Sequence, residues 1–299
     1  MNEKTRGTIE MATAMMILGT IGWFVIVSGQ SAINVVFWRC AFGAVALVII
    51  CAAFGLLRGH LTWRTLLWSA LGGGAIVMNW LLLFASFKMA SISISTALYN
   101  TQPFILLGLG ALFAGEKITA NKLLWLGVAF GGLLLIIAGN SNGKDTSITQ
   151  FSGVFMALAA AFFWAVATII TKKLKGTPPH LIALIQVCVG LLMLAPFASF
   201  DNLPATAFSW LALITIGVVH TGLIYVLMYS AVQKLPTHLQ GSLTFLYPVV
   251  AILVDVIAFD HRLSPGQIAG AAAILLGAAG MNLGWRIFTD KAACPKELI

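Results

Sequence analysis

Long apolar runs alternate with short polar and charged segments along this whole chain. Each run is about 18–25 residues long, which is enough for a helix to cross the hydrocarbon core of a bilayer. Helices are expected because lipid offers no hydrogen-bond partner to unpaired backbone groups. The pattern therefore predicts an all-α polytopic membrane protein with ten transmembrane helices, near residues 8–28, 33–57, 66–87, 91–113, 122–139, 151–171, 180–199, 207–232, 237–258 and 266–286.

The composition agrees with a membrane protein and argues against a soluble one. Hydrophobic residues make up 60% of the chain and charged residues only 9%, whereas about a quarter of the residues of a soluble domain are charged. The four cysteines show no metal-site or disulfide spacing, and the short connections carry no phosphate-binding loop or nucleophile–base pair. We therefore expect no metal or other cofactor, and no enzymatic activity.

The positive charges predict the orientation. Although the net charge is +8, thirteen of the 17 lysines and arginines fall on alternate connections and on the two tails. By the positive-inside rule both termini lie in the cytoplasm. The basic balance is thus a topology signal, and nucleic-acid binding is not expected. The first apolar run is too long for a signal peptide and is predicted to be the first span.

Two stretches of the chain match each other. "TALYNTQPF" (Thr96–Phe104) and "GSLTFLYPV" (Gly241–Val249) are both polar runs inside apolar segments, and both place a proline near the end. The same register sets "AGEKITANK" against "FDHRLSPGQ", and a looser match pairs Trp23 with Trp164. The chain is therefore predicted to contain two related halves.

Each half holds five spans, which is an odd number, so the halves must insert in opposite directions. The predicted organisation is a first repeat at 1–140, a periplasmic linker at 141–150, a second repeat at 151–288 and a cytoplasmic tail at 289–299. Inverted repeats are a transporter architecture, in which one half rocks against the other around a fixed site. Two alternatives stay open at this point: a duplication kept only for packing, and a channel.

The repeated polar stretches predict a cavity lining. Residues at i, i+4 and i+7 share one helix face, and in span four these are Ser95, Tyr99 and Gln102. Such groups are costly in hydrocarbon, so the face should point at protein or water. The alternative is that the stripe only joins neighbouring helices by hydrogen bonds. Pro103 and Pro248 free carbonyl groups and permit bends, which predicts hinges.

Other spans place aromatic and polar residues at similar depth, and tryptophan at mid-depth suggests a cavity wall. Together with the repeated polar stretches they give the predicted substrate-binding residues: Trp23, Asn79, Trp80, Ser95, Tyr99, Gln102, Trp164, His220, Tyr225, Gln240, Thr244 and Tyr247. His220 is interpreted either as a cavity group, with a proton-carrying role open to it, or as a buried histidine bonded to a carbonyl.

Charged residues inside the predicted spans are few. Glu10, Arg39 and Asp255 all fall close to membrane faces, and no carboxylate lies at mid-depth. Arg39 and Asp255 are both expected in the outer third, where a salt bridge could form an outer gate, although Arg39 could equally snorkel to the interface. A midplane site without a fixed charge suits a substrate of no net charge.

These features resemble the EamA-type branch of the drug/metabolite transporter superfamily. The turn "GEKIT" (Gly115–Thr119) matches that family's signature, as do the motif prolines and Arg39 in "FWRCAFG". The second copy keeps Ser264 and Gln267 but has His261 where glutamate is usual, and Gln186 lies near the position equivalent to Arg39. The resemblance implies a ten-helix inverted repeat and a transport function, and in length and aromatic residues the chain is similar to the family's exporters of aromatic amino acids.

The sequence thus predicts a bacterial inner-membrane exporter of neutral, mainly aromatic or apolar, amino acids and related metabolites, acting by alternating access. The expected partners are a small-molecule substrate and the lipid bilayer, with a monomer or weak dimer as the assembly. Export of drugs or of other small metabolites, and a channel, stay open as alternatives.

Overall fold

The computed structural model of this protein describes residues 2–57, 61–102, 104–105, 108–109, 112, 119–139, 148–174, 176–201, 203–235, 243 and 246–287. Within them the regular elements are α1 (Glu3–Gly19), α2 (Ile21–Val27), α3 (Ala32–Ala53), α4 (Trp63–Ala90), α5 (Ile92–Tyr99), α6 (Ala120–Gly139), α7 (Ile148–Thr171), α8 (Pro179–Leu194), α9 (Ala207–Gly217), α10 (Ile224–Lys234), α11 (Leu246–Phe259) and α12 (Pro265–Asn282). A 3₁₀ turn (Lys172–Leu174) follows α7, and a π-helical segment (Val218–Leu223) joins α9 to α10.

Each apolar run predicted from the sequence overlaps at least one of these helices. Among the described residues, five helical stretches are long and apolar enough to cross a membrane: Glu3–Val27, Ala32–Ala53, Trp63–Ala90, Phe151–Ile170 and Ala207–Met228. Shorter apolar helices are Ala120–Leu135, Pro179–Leu194, Leu246–Phe259 and Pro265–Met281. The chain is therefore a helical, multi-pass membrane protein.

Two helix starts repeat the sequence register. Thr119 Oγ1 accepts a hydrogen bond from the backbone N–H of Lys122 at the start of α6. At the start of α12, Ser264 Oγ accepts from the N–H of Gln267, whose side chain accepts from the N–H of Ser264 in a capping box. Such caps satisfy N–H groups that the first turn of a helix leaves free. The two matched motifs therefore each supply the N-terminal cap of a helix, one in each half.

The helices of the two halves pack against each other in pairs. The closest contacts join α4 to α7, α6 to α12, α3 to α8, and α1 to α10. Small residues permit this approach: a Cβ placed on Gly132 would lie 2.5 Å from the carbonyl oxygen of Gly270, and one on Gly190 would lie 2.5 Å from Cys40 Sγ. The main apolar core runs through the α4–α7, α3–α8 and α1–α10 contacts and carries the aromatic residues described below. Trp125 and Ala129 of α6 form a smaller apolar cluster with Ala278 of α12.

A single residue separates α4 from α5. Ser91 has φ 82° and ψ 159°, a backbone region that non-glycine residues rarely adopt. Its side chain accepts a hydrogen bond from the N–H of Ile94 and caps α5. A glycine at position 91 would avoid the backbone strain, but it has no side chain to cap α5. The capping bond of Ser91 therefore offsets part of the strain that its backbone conformation costs.

Candidate functional site

The middle of α4 carries an asparagine that joins three helices. Asn79 is completely buried, and its Nδ2 donates to the carbonyl oxygen of Ala160 in α7 at 2.7 Å. The hydroxyl oxygen of Tyr99, at the end of α5, lies 3.0 Å from Asn79 Nδ2 and 3.3 Å from Asn79 Oδ1. A buried amide that loses its partners is costly, so these bonds fix both side chains. Two predicted site residues are thus brought together directly.

Arg39 of α3 is the charged group beside this centre. Its guanidinium carbon lies 3.9 Å from the ring centroid of Trp80 and 5.7 Å from that of Phe84, both on α4. The residue is only 4% exposed, and its Nε is buried without a hydrogen-bond partner. Arg39 is therefore packed inside the protein and does not snorkel to the interface in this conformation, and its role in an outer gate stays a prediction. An arginine side chain is long enough to leave the depth of its own Cα and stack on an aromatic ring further into the protein.

The contacts of Arg39 leave much of its burial cost uncompensated. Arginine stays charged at any accessible pH, and burying one charge in a protein costs several kcal/mol after relaxation. A desolvated cation–π contact offsets about 2 kcal/mol of this. None of the ion pairs among the described residues includes Arg39. A cation thus lies next to predicted binding residues, which the expectation of a site without a fixed charge did not include.

Aromatic residues from both halves lie near this cation. Tyr99, Tyr225 and Arg39 lie within electrostatic range of one another, and Tyr247 lies within range of Tyr99. We call Trp80, Tyr99, Tyr225 and Tyr247 the central aromatic cluster. All four belong to the main apolar core or pack against it, and Trp164 packs against the same core.

His220 lies in the π-helical segment, also within electrostatic range of Arg39. Its Nε2 is 3.1 Å from Thr20 Oγ1, at the break between α1 and α2, and its Nδ1 is 3.3 Å from the carbonyl oxygen of Thr215. The Thr20 hydroxyl in turn donates to the carbonyl oxygen of Ile17 at 2.7 Å. The imidazole therefore ties an irregular point of the first half to an irregular point of the second, with both nitrogens engaged by protein atoms.

Not every predicted residue reaches this cluster. Trp23 makes its ring contacts with Phe24 and with Phe208 of α9 instead, at centroid distances of 4.8 Å and 5.8 Å. Ser95 is completely buried, and its Oγ has no hydrogen-bond partner, while Gln102 is half-buried.

The predicted hinges and the second-half stripe are only partly described. Pro248 is buried near the start of α11 as the structure describes it. Pro103, Gln240 and Thr244 lie outside the described residues.

Asp255 of α11, the predicted partner of Arg39, forms its contacts with other residues. One carboxylate oxygen of Asp255 accepts from the backbone N–H of Ser93 at 2.9 Å, and the other lies 2.8 Å from Nδ1 of His261. Asp255 is completely buried, whereas the His261 side chain is 48% exposed. The predicted Arg39–Asp255 salt bridge is therefore wrong as a description of this conformation. His261 stands where the matched motif of the first half has Glu116. It supplies the partner of this aspartate, whereas a glutamate would oppose it.

A second ion pair joins the halves at the predicted inner end. Lys234 Nζ of α10 lies 2.8 Å from both carboxylate oxygens of Glu10 in α1, and Arg6 Nε lies 3.0 Å from one of them. Lys234 also donates to Ser230 at 2.6 Å. The Asp255–Ser93 bond and the Glu10–Lys234 pair thus connect opposite halves at opposite predicted ends of the helices.

Sequence reasoning missed Thr20 and the position of Arg39. Thr20 had a weak signal, because it is a hydroxyl residue inside the first apolar run and follows a glycine. The sequence indicates that Arg39 is unusual, but it gives the depth of its Cα and not the direction of its side chain.

Aromatic rings, hydroxyl groups and the Arg39 cation together are groups that can bind a small molecule without reacting with it.

The chain matches the model of the EamA-like transporter family twice, over residues 5–138 and 151–283. The uncharacterized transporter YxxF of Bacillus subtilis is 30% identical over 93% of this chain and 89% of its own length. A probable amino-acid metabolite efflux pump of Salmonella typhimurium is 25% identical over 69% of this chain and 72% of its own. The threonine/homoserine exporter RhtA of Escherichia coli is 24% identical over 72% of this chain and 68% of its own.

Among solved structures, one crystal structure superimposes with a TM-score of 0.66 over 95% of this chain and 98% of that one. The two chains are 17% identical, so the likeness shows the fold alone.

Proposed function

The chain belongs to the EamA-like transporter family, and we propose that it exports neutral, mainly aromatic or apolar, amino acids and related metabolites. The observation that carries the proposal is the central aromatic cluster beside Asn79 and Arg39. Trp80, Tyr99, Tyr225 and Tyr247 come from four helices in both halves. Aromatic rings with a few placed polar groups are the lining of small-molecule sites.

The names of related proteins support the same substrate class. One of the relatives named above is a probable amino-acid metabolite efflux pump, and another is an exporter of threonine and homoserine. An aromatic or apolar preference of this chain is our extension, and it rests on the rings at the centre of the site.

We place the two halves as inverted repeats that expose the site alternately to each side. Three facts support this arrangement. The family model matches each half, and Thr119 and Ser264 cap equivalent helices. Gly73 of α4 packs closely on α8 at Gln186, and Gly217 of α9 packs closely on α3 at Phe42, so each half places a glycine against the helix of the other half. Alternating access by rocking of such repeats is a common transport mechanism.

The proposed setting is the inner membrane of a bacterium, with both termini in the cytoplasm and the 141–150 linker in the periplasm. The positive-inside distribution supports the orientation, and the relatives named above are bacterial. The working unit is a monomer or weak dimer.

Export of cationic drugs is less well supported than export of amino acids. A cation in the site would meet the charge of Arg39, and among the described residues the buried carboxylate Asp255 is engaged by Ser93 and His261. Like charges in a poorly solvated site repel strongly. Export of other small metabolites differs from our proposal only in the substrate, so a transport assay with labelled amino acids distinguishes the two.

Counterflow in proteoliposomes tests the proposal. Vesicles are preloaded with an unlabelled amino-acid mixture, and entry of labelled phenylalanine, methionine and threonine is followed. We expect phenylalanine and methionine to exchange faster than threonine, and Tyr99→Ala and Trp164→Ala to reduce exchange at least tenfold.

Phe155→Ala is the matched control, because Phe155 lies on the same helix as Trp164 and is 73% exposed. Its exchange should equal that of the natural sequence. No exchange of any of the three amino acids by correctly folded protein would reject amino-acid export and favour another metabolite. Continuous current in a bilayer recording would instead indicate a channel.

A further inference from the structure

We propose that Arg39, stacked on Trp80, binds a carboxylate group of the transported molecule. This inference rests on the proposed transport function and assigns one group of the substrate to one residue. Asn79 and His220 are the predicted substrate-binding residues near this cluster that could take that task instead.

The first step is that the alternatives are already engaged. Asn79 Nδ2 donates to Ala160 at 2.7 Å and contacts the Tyr99 hydroxyl at 3.0 Å. Both nitrogens of His220 face protein oxygen atoms, on Thr20 and Thr215. Neither side chain can take a substrate carboxylate without first giving up a bond inside the fold.

The second step is that Arg39 is short of partners. It is 4% exposed, and its Nε has no hydrogen-bond partner although it is fully buried. No ion pair of the described residues neutralises its charge. A buried charge is normally paired or hydrogen-bonded, so the arrangement is incomplete as it stands, and an anion would complete it.

The third step is geometric. Trp80 covers the guanidinium at 3.9 Å from its ring centroid, which matches stacking on an aromatic face. A stacked guanidinium keeps its N–H groups in its own plane, where they can form two parallel bonds to a carboxylate. Because Tyr99 and Tyr225 lie within electrostatic range of Arg39, the body of an aromatic or apolar carboxylate bound there would have aromatic rings near it.

The chemistry expected of the substrate follows directly. A carboxylate beside an apolar body should bind, whereas the corresponding amide, which has no charge to pair with Arg39, should bind much more weakly. We expect at least a tenfold preference for phenylalanine over phenylalaninamide, and for methionine over methioninamide.

The test uses two readouts on the full chain. The first is inhibition of labelled phenylalanine counterflow by each acid and its matched amide. The second is the rise in melting temperature that each compound causes in detergent-purified protein, which does not require transport. Both are compared between the natural sequence, Arg39→Gln and Arg39→Lys.

We expect Arg39→Gln to remove the acid-over-amide preference in both readouts and Arg39→Lys to restore part of it. Arg64→Gln is the matched control, because Arg64 is exposed, and it should keep the full preference. A preference that survives in Arg39→Gln would overturn the proposal while leaving amino-acid export intact.

The two proposals fail in different ways. If no amino acid exchanges, but carboxylates still raise the melting temperature through Arg39, export of amino acids is rejected and the carboxylate site stands. If no acid stabilises the natural protein more than its amide, the carboxylate site is rejected without any use of variants, so poor folding of Arg39→Gln cannot rescue it.

Discussion

Asp255 and Arg39 are both buried charges, and their surroundings differ completely. Asp255 is 0% exposed, with one oxygen on the backbone N–H of Ser93 and the other on His261. Arg39 is 4% exposed and has an aromatic ring on its face, but its Nε has no partner. Asp255 has a protein partner for each of its oxygens, whereas Arg39 has a buried N–H group without one.

The difference indicates that Asp255 is buried because it stabilises the fold, whereas Arg39 is buried because it serves the function of the protein. A buried charge whose hydrogen bonds are complete holds helices together. Removing it is destabilising, because its partners stay buried without a hydrogen bond. A buried charge without such partners lowers the stability of the empty protein, so its presence needs another reason. The comparison can be tested on stability alone, by measuring unfolding free energies in detergent micelles.

The largest effect is expected for Asp255→Ala. The change removes two charge-assisted hydrogen bonds and leaves the buried N–H of Ser93 unsatisfied, which should lower the free energy of unfolding by about 3 kcal/mol. Asp201→Ala, at an exposed aspartate, is the control and should change it little. A loss below about 1 kcal/mol for Asp255→Ala would contradict the structural role of this carboxylate.

Asn79→Leu should have the next largest effect. It keeps a similar shape but removes the side-chain bond to the Ala160 carbonyl and leaves the Tyr99 hydroxyl without its partner, at a cost of about 2 kcal/mol. Tyr99→Phe removes only the hydroxyl and should cost about 1 kcal/mol. Because the two residues share one bond, the double variant should lose less than the sum of the single losses. Strict additivity would show that the bond does not form.

His261→Gln should destabilise the protein by about 0.5 kcal/mol, because the histidine is half exposed and glutamine can still donate to Asp255. Equilibrium unfolding of this variant beside Asp255→Ala separates the two contacts of the aspartate. A loss as large as that of Asp255→Ala would assign the stabilisation to the ion pair and not to the Ser93 N–H.

Arg39→Met should cause the smallest loss of stability, or a gain, because the relief of a buried charge equals or exceeds the lost cation–π contact. The same variant should lose phenylalanine counterflow. A loss of stability as large as that of Asp255→Ala would show that Arg39 holds the fold, and the comparison would fail.

The sequence predicted the parts of this molecule that follow from periodicity and repetition. The apolar runs correspond to helices, Thr119 and Ser264 cap matched helices in the predicted register, and Asn79 and Trp80 lie in the middle of α4 among other predicted site residues. These features depend on local chemistry that a single sequence carries.

The parts that it could not predict depend on where side chains point after packing. Trp23 lies at the expected place on its helix but faces Phe208. Arg39 and Asp255 have the same expected depth, and they contact different helices. A helical position fixes the depth of a Cα, but partners between distant helices are decided by the packing of the whole bundle.

The π-helical segment has a consequence for the direction in which α10 faces. A π turn holds about one residue more than an α turn, so the residues that follow Val218–Leu223 are turned by about 100° relative to a continuous α-helix. Deleting Val219 should therefore favour an ordinary helix and rotate the residues before and after it by about 100° relative to each other. Both the contact between His220 and Thr20 and the direction of Tyr225 thus depend on this one irregular turn.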